Sequence, residues 1–296
     1  DEAGTAITTG DQNVFVGYAA GDALTTASRN TAVGDQALSA DTLGSRSTAI
    51  GFGALNVQNF TTATDAYNVA VGYGAGIAVT TGIKNTLIGG LAGDALTDAD
   101  ENVAVGVSAL GADTSGSKST AIGQGALQVQ DFTTTTDTYN TAVGFSAGNR
   151  VTTATRSVLI GGQSGDALTT GSRNNVIGYN ALGSDTLGAR ATALGYGALQ
   201  SQNFTTATEN YNVALGYNAG GSITTGVQNT LVGAITGDSL TDADSNIAIG
   251  YASLTADTLG SKSVAIGAGT LESQNFSTAT DSYNTAVGHT AGGSIS

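Results

Sequence analysis

The sequence predicts an all-β fold, a parallel β-solenoid (β-roll) with sixteen coils. Glycine preceded by Val, Ile or Leu occurs sixteen times, and successive spacings are 17, 17, 21 and 17 residues, a 72-residue cycle that repeats along the chain. These anchor glycines are Gly17, Gly34, Gly51, Gly72, Gly89, Gly106, Gly123, Gly144, Gly161, Gly178, Gly195, Gly216, Gly233, Gly250, Gly267 and Gly288. A fixed period of this kind indicates one small unit stacked on copies of itself.

Each coil is predicted to consist of short strands. The residues before each anchor alternate between the two faces of a strand with period two, and glycine within every turn disfavours a helix. At about 3.3 Å per residue, 17 residues are enough for two or three short strands separated by glycine turns.

The chain is predicted to form a single solenoid over residues 1–296. Its four super-repeats span about 1–76, 77–148, 149–220 and 221–292. Residues 3–10 repeat the pattern of residues 219–226, so the first coil begins partway through the pattern, and no polar cap is visible at either end. Because solenoids need such caps to stop further stacking, we expect more coils or more copies at both ends.

Composition excludes several functions. The net charge is −14, which disfavours a nucleic-acid partner, and no apolar run is long enough to insert into a membrane. Cysteine is absent, which excludes disulfides and thiolate metal sites. The acidic residues are mostly single, a distribution typical of a soluble surface.

Particular positions within the coil carry distinct predictions. The aliphatic residue before the anchor is expected to fill the interior, whereas the preceding residue, mostly Ala, is expected to face outward against another surface. Asn or Ser four residues before the anchor is expected to form a hydrogen-bonded amide ladder. Eight of the nine basic residues lie five before the anchor, and acids recur nearby as Asp41, Asp113, Asp185 and Asp257, which suggests exposed ion pairs.

A second prediction concerns assembly. Each coil has one large aliphatic residue and a few small ones, which is little burial against the entropy of ordering its backbone. We therefore expect shared burial in a homotrimer, intertwined or side by side, with the Ala face toward the axis.

The four-residue insertion in every fourth coil is the best candidate for specificity. These segments are expected to protrude, and an aromatic ring among Asn, Gln and Thr suits a glycan or receptor. The candidate contact residues are Phe60, Tyr67, Phe132, Tyr139, Phe204, Tyr211, Phe276 and Tyr283. The alternative is that the phenylalanines fold back over the roll or fill a seam with a neighbouring chain.

Other candidate sites are weaker. A calcium ion could use the Gly-Asp pairs and the acidic clusters, whose members are Asp22, Asp94, Asp98, Asp100, Glu101, Asp166, Asp238, Asp242 and Asp244. No calcium-binding glycine repeat is present, so no cofactor is expected. Aromatic residues that follow the anchors, such as Tyr179, are expected to stack. His289 is the single histidine, and no enzymatic activity is expected.

The repeat resembles two known families. The coil that begins Asn30-Thr-Ala-Val-Gly34 resembles the NTAVG-type repeats of bacteriophage tail fibre proteins, and Ser263-Val-Ala-Ile-Gly267 is similar to the head repeats of trimeric autotransporter adhesins. The resemblance covers the whole chain, although the 21-residue coil is longer than the adhesin pattern. It implies a trimeric parallel β-roll in an extracellular fibre that attaches a virus or a cell to a surface.

The expected function is therefore a structural segment of a phage tail fibre that contributes to host attachment, with its location on the virion. The alternatives are a bacterial cell-surface adhesin or extracellular filament subunit, and an ice-binding β-solenoid. Ice binding requires a regular Thr-x-Thr array, and the second Thr is replaced here by Val, Ile or Leu.

Overall fold

The computed structural model describes residues 2–295 and confirms the predicted fold class. The described chain is all-β, without helix, and forms a β-solenoid of sixteen coils. Eight coils belong to each of two compact units, residues 2–146 (unit one) and residues 147–295 (unit two).

The strands of unit one are two or three residues long, and an anchor glycine follows each three-residue strand. They are β1 (Val14–Val16), β2 (Thr31–Val33), β3 (Gly44–Ser45), β4 (Thr48–Ile50), β5 (Thr64–Asp65), β6 (Val69–Val71), β7 (Thr86–Ile88), β8 (Val103–Val105), β9 (Gly116–Ser117), β10 (Thr120–Ile122), β11 (Thr136–Asp137) and β12 (Thr141–Val143). The strands that precede anchors pair in parallel and in register in the order β1-β2-β4-β6-β7-β8-β10-β12. The other strands form the pairs β3-β5 and β9-β11.

Unit two has the same organisation. Its strands are β13 (Val158–Ile160), β14 (Asn175–Ile177), β15 (Gly188–Ala189), β16 (Thr192–Leu194), β17 (Thr208–Glu209), β18 (Val213–Leu215), β19 (Thr230–Val232), β20 (Ile247–Ile249), β21 (Gly260–Ser261), β22 (Val264–Ile266), β23 (Thr280–Asp281) and β24 (Thr285–Val287). The parallel order is β13-β14-β16-β18-β19-β20-β22-β24, and β15-β17 and β21-β23 are the additional pairs.

Positive backbone φ angles close each coil. The anchor glycines have φ between 126° and 141°, and a Cβ added to Gly106 would lie 2.6 Å from the carbonyl oxygen of Gly123 in the next coil. Three further positions, two and four residues after the anchor and five before it, have φ of 48° to 67° in every coil. The basic residues and tyrosines before the anchor, such as Arg46, therefore lie at left-handed corners, where their side chains point away from the roll.

The prediction for the two strand faces was wrong. Ala32, Ala49 and Ala70, two residues before their anchors, are fully buried, whereas Val16 is 57% exposed and Ile50 38% exposed. The reason is the narrow interior, which also receives Ala and Leu side chains from the turn after the anchor. A small residue on the strand leaves room for those side chains, so the large aliphatic residue points outward.

Large and small residues compensate for each other inside a coil. Where the inward strand residue is Ala104, the residue four after the anchor is Leu110, and both are fully buried. Where the strand residue is Leu87, the corresponding position is Gly93, and a Cβ there would lie 2.8 Å from Leu87 Cδ2. This explains why Phe or Leu occupies the strand position only in coils whose turn has glycine instead of leucine, whereas both positions are small in the insertion coils, as at Ala70 and Gly76.

The Asn ladder is present and buried, but its hydrogen bonds differ from the prediction. Asn85 Oδ1 accepts the backbone N–H of Asn102, and Asn102 Oδ1 accepts that of Ser119. Asn85 Nδ2 donates to the carbonyl of Ala99 at 2.8 Å. The ladder amides therefore bond mainly to backbone groups of neighbouring coils, although Asn229 Nδ2 also donates to Asn212 Oδ1 at 3.3 Å, as the prediction expected.

Candidate functional site

The four-residue insertions place their phenylalanines inside the fold. Phe60, Phe132 and Phe204 are only 5% to 8% exposed, and Phe276 is half-buried. Residues 61–63, which follow Phe60, are exposed. These three rings therefore fold back over the roll, which is one of the predicted alternatives to protrusion.

A buried carboxylate fixes each insertion. Asp41 is fully buried, its Oδ1 accepts the backbone N–H groups of Gly44 and Phe60 at 3.0 and 3.2 Å, and its Oδ2 accepts Gln58 Nε2 at 2.6 Å. Gln58 in turn accepts a 2.8 Å bond from Asn68 Nδ2. The same arrangement recurs around Asp113, Asp185 and Asp257.

The prediction that Asp41, Asp113, Asp185 and Asp257 form exposed ion pairs was therefore wrong. All four carboxylates are fully buried, and burial raises the pKa of the first three. The burial of these four aspartates was not predicted, because Asp usually lies on the surface of a protein. A usable signal was present, since buried Leu occupies the same place in the preceding coil, as at Leu24.

The tyrosines of the insertion coils are exposed, but neighbouring charged side chains contact them. Arg46 lies 5.4 Å from the centre of the Tyr67 ring and forms a 2.8 Å ion pair with Asp65. Equivalent groups are Lys118–Asp137–Tyr139, Arg190–Glu209–Tyr211 and Lys262–Asp281–Tyr283. Tyr67 is still 48% exposed, but a cation covers one face of its ring, which reduces the surface open to a ligand.

These groups also shift one another's pKa values. The hydrogen bond from Lys118 lowers the pKa of Asp137 and raises that of Lys118. The hydrogen bond to Glu209 raises the pKa of the Tyr211 hydroxyl. The four groups are thus surface clusters of opposite charges that link each insertion coil to the coil before it.

Aromatic residues after the anchors stack wherever two consecutive coils both have one. Phe52 and Tyr73 have ring centres 5.3 Å apart at an interplanar angle of 11°. Tyr179, Tyr196 and Tyr217 form a three-ring stack in unit two, with centres 5.6 and 5.4 Å apart. The prediction of stacking is confirmed at these positions.

An aliphatic stripe runs along the outward face of the strands in each unit. It consists of the Val, Ile or Leu one residue before each anchor, flanked by the residue three before the anchor, which is Thr in eight coils, Val or Ile in seven and Asn175 in one. The most exposed members are Val14, Val16, Ile50, Ile88 and Ile122 in unit one, and Ile177, Ile247, Ile249 and Val287 in unit two. The parallel, in-register pairing places these side chains in two continuous columns, one aliphatic and one of mixed Thr and Val, on the outward face of each unit.

The acidic residues considered for calcium are separated in the structure. Asp98 Oδ1 accepts a hydrogen bond from Thr97, Asp100 Oδ1 from the Ile83 backbone, and Asp244 Oδ1 from the Val227 backbone. Within residues 2–295, no three His, Cys, Asp or Glu side chains are grouped so that they could hold a metal ion.

The remaining findings concern the chain as a whole. No helix in the described part of the chain has the length and apolarity needed to cross a membrane. The clefts between turns are open to solvent, as in the cleft lined by Val107, Gln124 and Phe145.

Comparison of the chain with protein-family models, curated proteins and solved structures finds no match.

Proposed function

We propose that this chain is a structural, non-enzymatic segment of an extracellular fibre, most simply the shaft of a bacteriophage tail fibre, and that it contributes to host attachment. The observation that carries the proposal is the aliphatic stripe. A repeated unit that stacks in register and leaves one apolar column outward, as at Ile88 and Ile122, is suited to lateral association with copies of itself.

The proposed assembly remains a homotrimer, but with a different axis from the one expected from the sequence. The Ala side chains lie inside each roll, so they are not available to another chain. The exposed stripe offers in-register Val, Ile and Thr side chains instead, and burying them would remove apolar surface from water at about 25 cal/mol per Å².

Sedimentation tests this assembly. The wild type is expected to sediment as a trimer, whereas the double variant Ile88→Asp/Ile122→Asp should dissociate, because it would place charges in the apolar interface. Val57→Asp is the matched control: Val57 is 39% exposed, close to the 38% of Ile88, but lies outside the stripe. A wild-type chain that sediments as a folded monomer would contradict the proposal.

A bacterial cell-surface adhesin or filament subunit would use the same stripe in the same way. Electron microscopy of the native source separates the two, since it locates the fibre on virions or on cells. An ice-binding role is a further candidate, because residues such as Thr48 and Thr86 lie in register on the outward face. It requires the stripe to stay free, and thermal hysteresis of the purified chain would support it.

A further inference from the structure

The three-tyrosine stack of unit two is an open platform. Tyr179, Tyr196 and Tyr217 are each 50% to 54% exposed, with interplanar angles of 20° and 16° between successive rings. Their spacing follows the coil repeat, so the rings form a ladder along the unit. Tyr ladders of this kind offer both an apolar ring surface and a row of hydroxyl groups.

A polar cleft borders the ladder. Gln200, Asn218, Gly221, Ser222 and Asp238 line it, and the backbone N–H of Asn218 donates to the carbonyl of Tyr196 at 2.9 Å. Within residues 2–295, the side-chain amides of Gln200 and Asn218 have no hydrogen-bond partner. Two amides therefore remain able to donate and accept hydrogen bonds beside an aromatic surface.

We propose that the surface formed by Tyr179, Tyr196, Tyr217 and this cleft binds a neutral, linear oligosaccharide. Sugar rings have apolar C–H faces that suit aromatic rings and hydroxyl edges that suit amides and carboxylates. The ladder repeats once per coil, at ring spacings of 5.4 and 5.6 Å, which suits a chain of successive sugar rings. A rigid aromatic surface with a few polar groups beside it is the usual composition of a small-ligand site.

The negative charge of the cleft favours neutral glycans over acidic ones. The charged residue of the cleft is the carboxylate of Asp238, and the whole chain carries −14. An acidic sugar such as a uronate would be repelled. Asp238 Oδ1 also accepts a hydrogen bond from Thr255, which holds the carboxylate in place and leaves Oδ2 to accept a sugar hydroxyl.

The ladder is a better candidate than the tyrosines of the insertion coils. Arg190 lies 5.5 Å from the centre of the Tyr211 ring, and the Tyr211 hydroxyl donates to Glu209 at 2.6 Å. Tyr196 is stacked between Tyr179 and Tyr217, so the ladder presents to a ligand the outer faces of its two end rings, the exposed ring edges and the hydroxyl groups. This inference deepens the attachment role of the proposed function and rests on it for its biological setting, although the binding itself does not require a trimer.

Titration calorimetry with neutral linear hexasaccharides, β-1,4-linked glucose and β-1,4-linked N-acetylglucosamine, tests the proposal. The wild type should bind at least one of them, and Tyr196→Ala should weaken that binding about tenfold. Tyr196→Phe should bind within about twofold of wild type because the ring remains. Tyr211→Ala is the matched control and should bind normally, and an oligogalacturonate should bind more weakly than the neutral sugars.

Three outcomes would overturn the inference: no binding of either neutral hexasaccharide, wild-type binding by Tyr196→Ala, or loss of binding by Tyr196→Phe. Thermal unfolding of each variant, followed by circular dichroism, distinguishes lost binding from lost fold. Sedimentation distinguishes failure of the oligosaccharide proposal from failure of the fibre proposal, since Tyr196→Ala leaves the aliphatic stripe intact.

Discussion

The carboxylate of Asp185 and the side-chain amide of Gln202 lie in adjacent coils and form a 2.6 Å hydrogen bond inside the roll. Backbone N–H groups of Gly188 and Phe204 complete the shell of Asp185 at 2.9 and 3.2 Å. All three donors are neutral. The carboxylate thus holds the insertion against the roll, but its charge is expensive to bury.

This arrangement predicts greater stability in mild acid. Burial raises the pKa of Asp185 above the ordinary 3.8, and the pKa values of Asp41 and Asp113 rise for the same reason. Such a group contributes stability that is fully present below its unfolded pKa and is lost as pH rises through the raised pKa. The urea midpoint should therefore increase as pH falls from 7 toward about 4.

The Asp185→Asn variant isolates this effect. Relative to the variant, the wild type should gain stability as pH falls across that window, and Asp35→Asn at an exposed position controls for the loss of one charge. Asp137, whose pKa is lowered, has the opposite effect on stability, because the stabilisation that it provides is lost as pH falls through its lowered pKa. A constant difference between wild type and Asp185→Asn across the window would exclude the buried carboxylate as the cause.

Leu87 and Gly93 should behave as a coupled pair. Leu87→Ala leaves a cavity and should lower the unfolding free energy by about 2–5 kcal/mol, and Gly93→Leu should be strongly destabilising because its Cβ meets Leu87 and Leu96. The double variant recreates the Ala104–Leu110 pair, and φ at Gly93 (56°) is close to that of Leu110 (53°). It should recover part of the loss, because the contact with Leu87 is removed while Leu96, which stands where the other coil has Asp113, still lies 2.8 Å from the added Cβ.

A double-mutant cycle of urea unfolding measures this coupling. The energetic interaction between the two substitutions should be large and favourable. Strictly additive losses would refute the view that the two side chains compete for one space.

Anchor glycines should tolerate no side chain. At Gly106, φ is 135° and a Cβ would contact the Gly123 backbone, so Gly106→Ala should destabilise unit one by several kcal/mol or prevent its folding. Gly90 provides the matched control, because nothing lies within 4 Å of a Cβ placed there. Gly90→Ala should change the thermal unfolding midpoint little, corresponding to within about 0.5 kcal/mol. Equal effects at the two sites would argue against backbone contact as the reason for the anchors.

The periodicity of the sequence determined the fold class, because a repeating glycine with an aliphatic residue before it permits short strands, turns and in-register stacking but no helix. It also located the Asn ladder and the aromatic stacks, since residues one coil apart, such as Tyr196 and Tyr217, become neighbours in any in-register solenoid. The spacing of residues along the sequence is sufficient to predict which side chains of this kind become neighbours.

Only the tertiary structure decided which face of each strand points inward. Alternation with period two defines the two faces of a strand but does not show which of them points inward. That choice depends on how much of the interior the rest of the coil already fills, as Leu110 does opposite Ala104. The same limit explains Asp185, whose burial depends on donors from Gly188, Gln202 and Phe204. Those donors come together only when the insertion folds back over the roll.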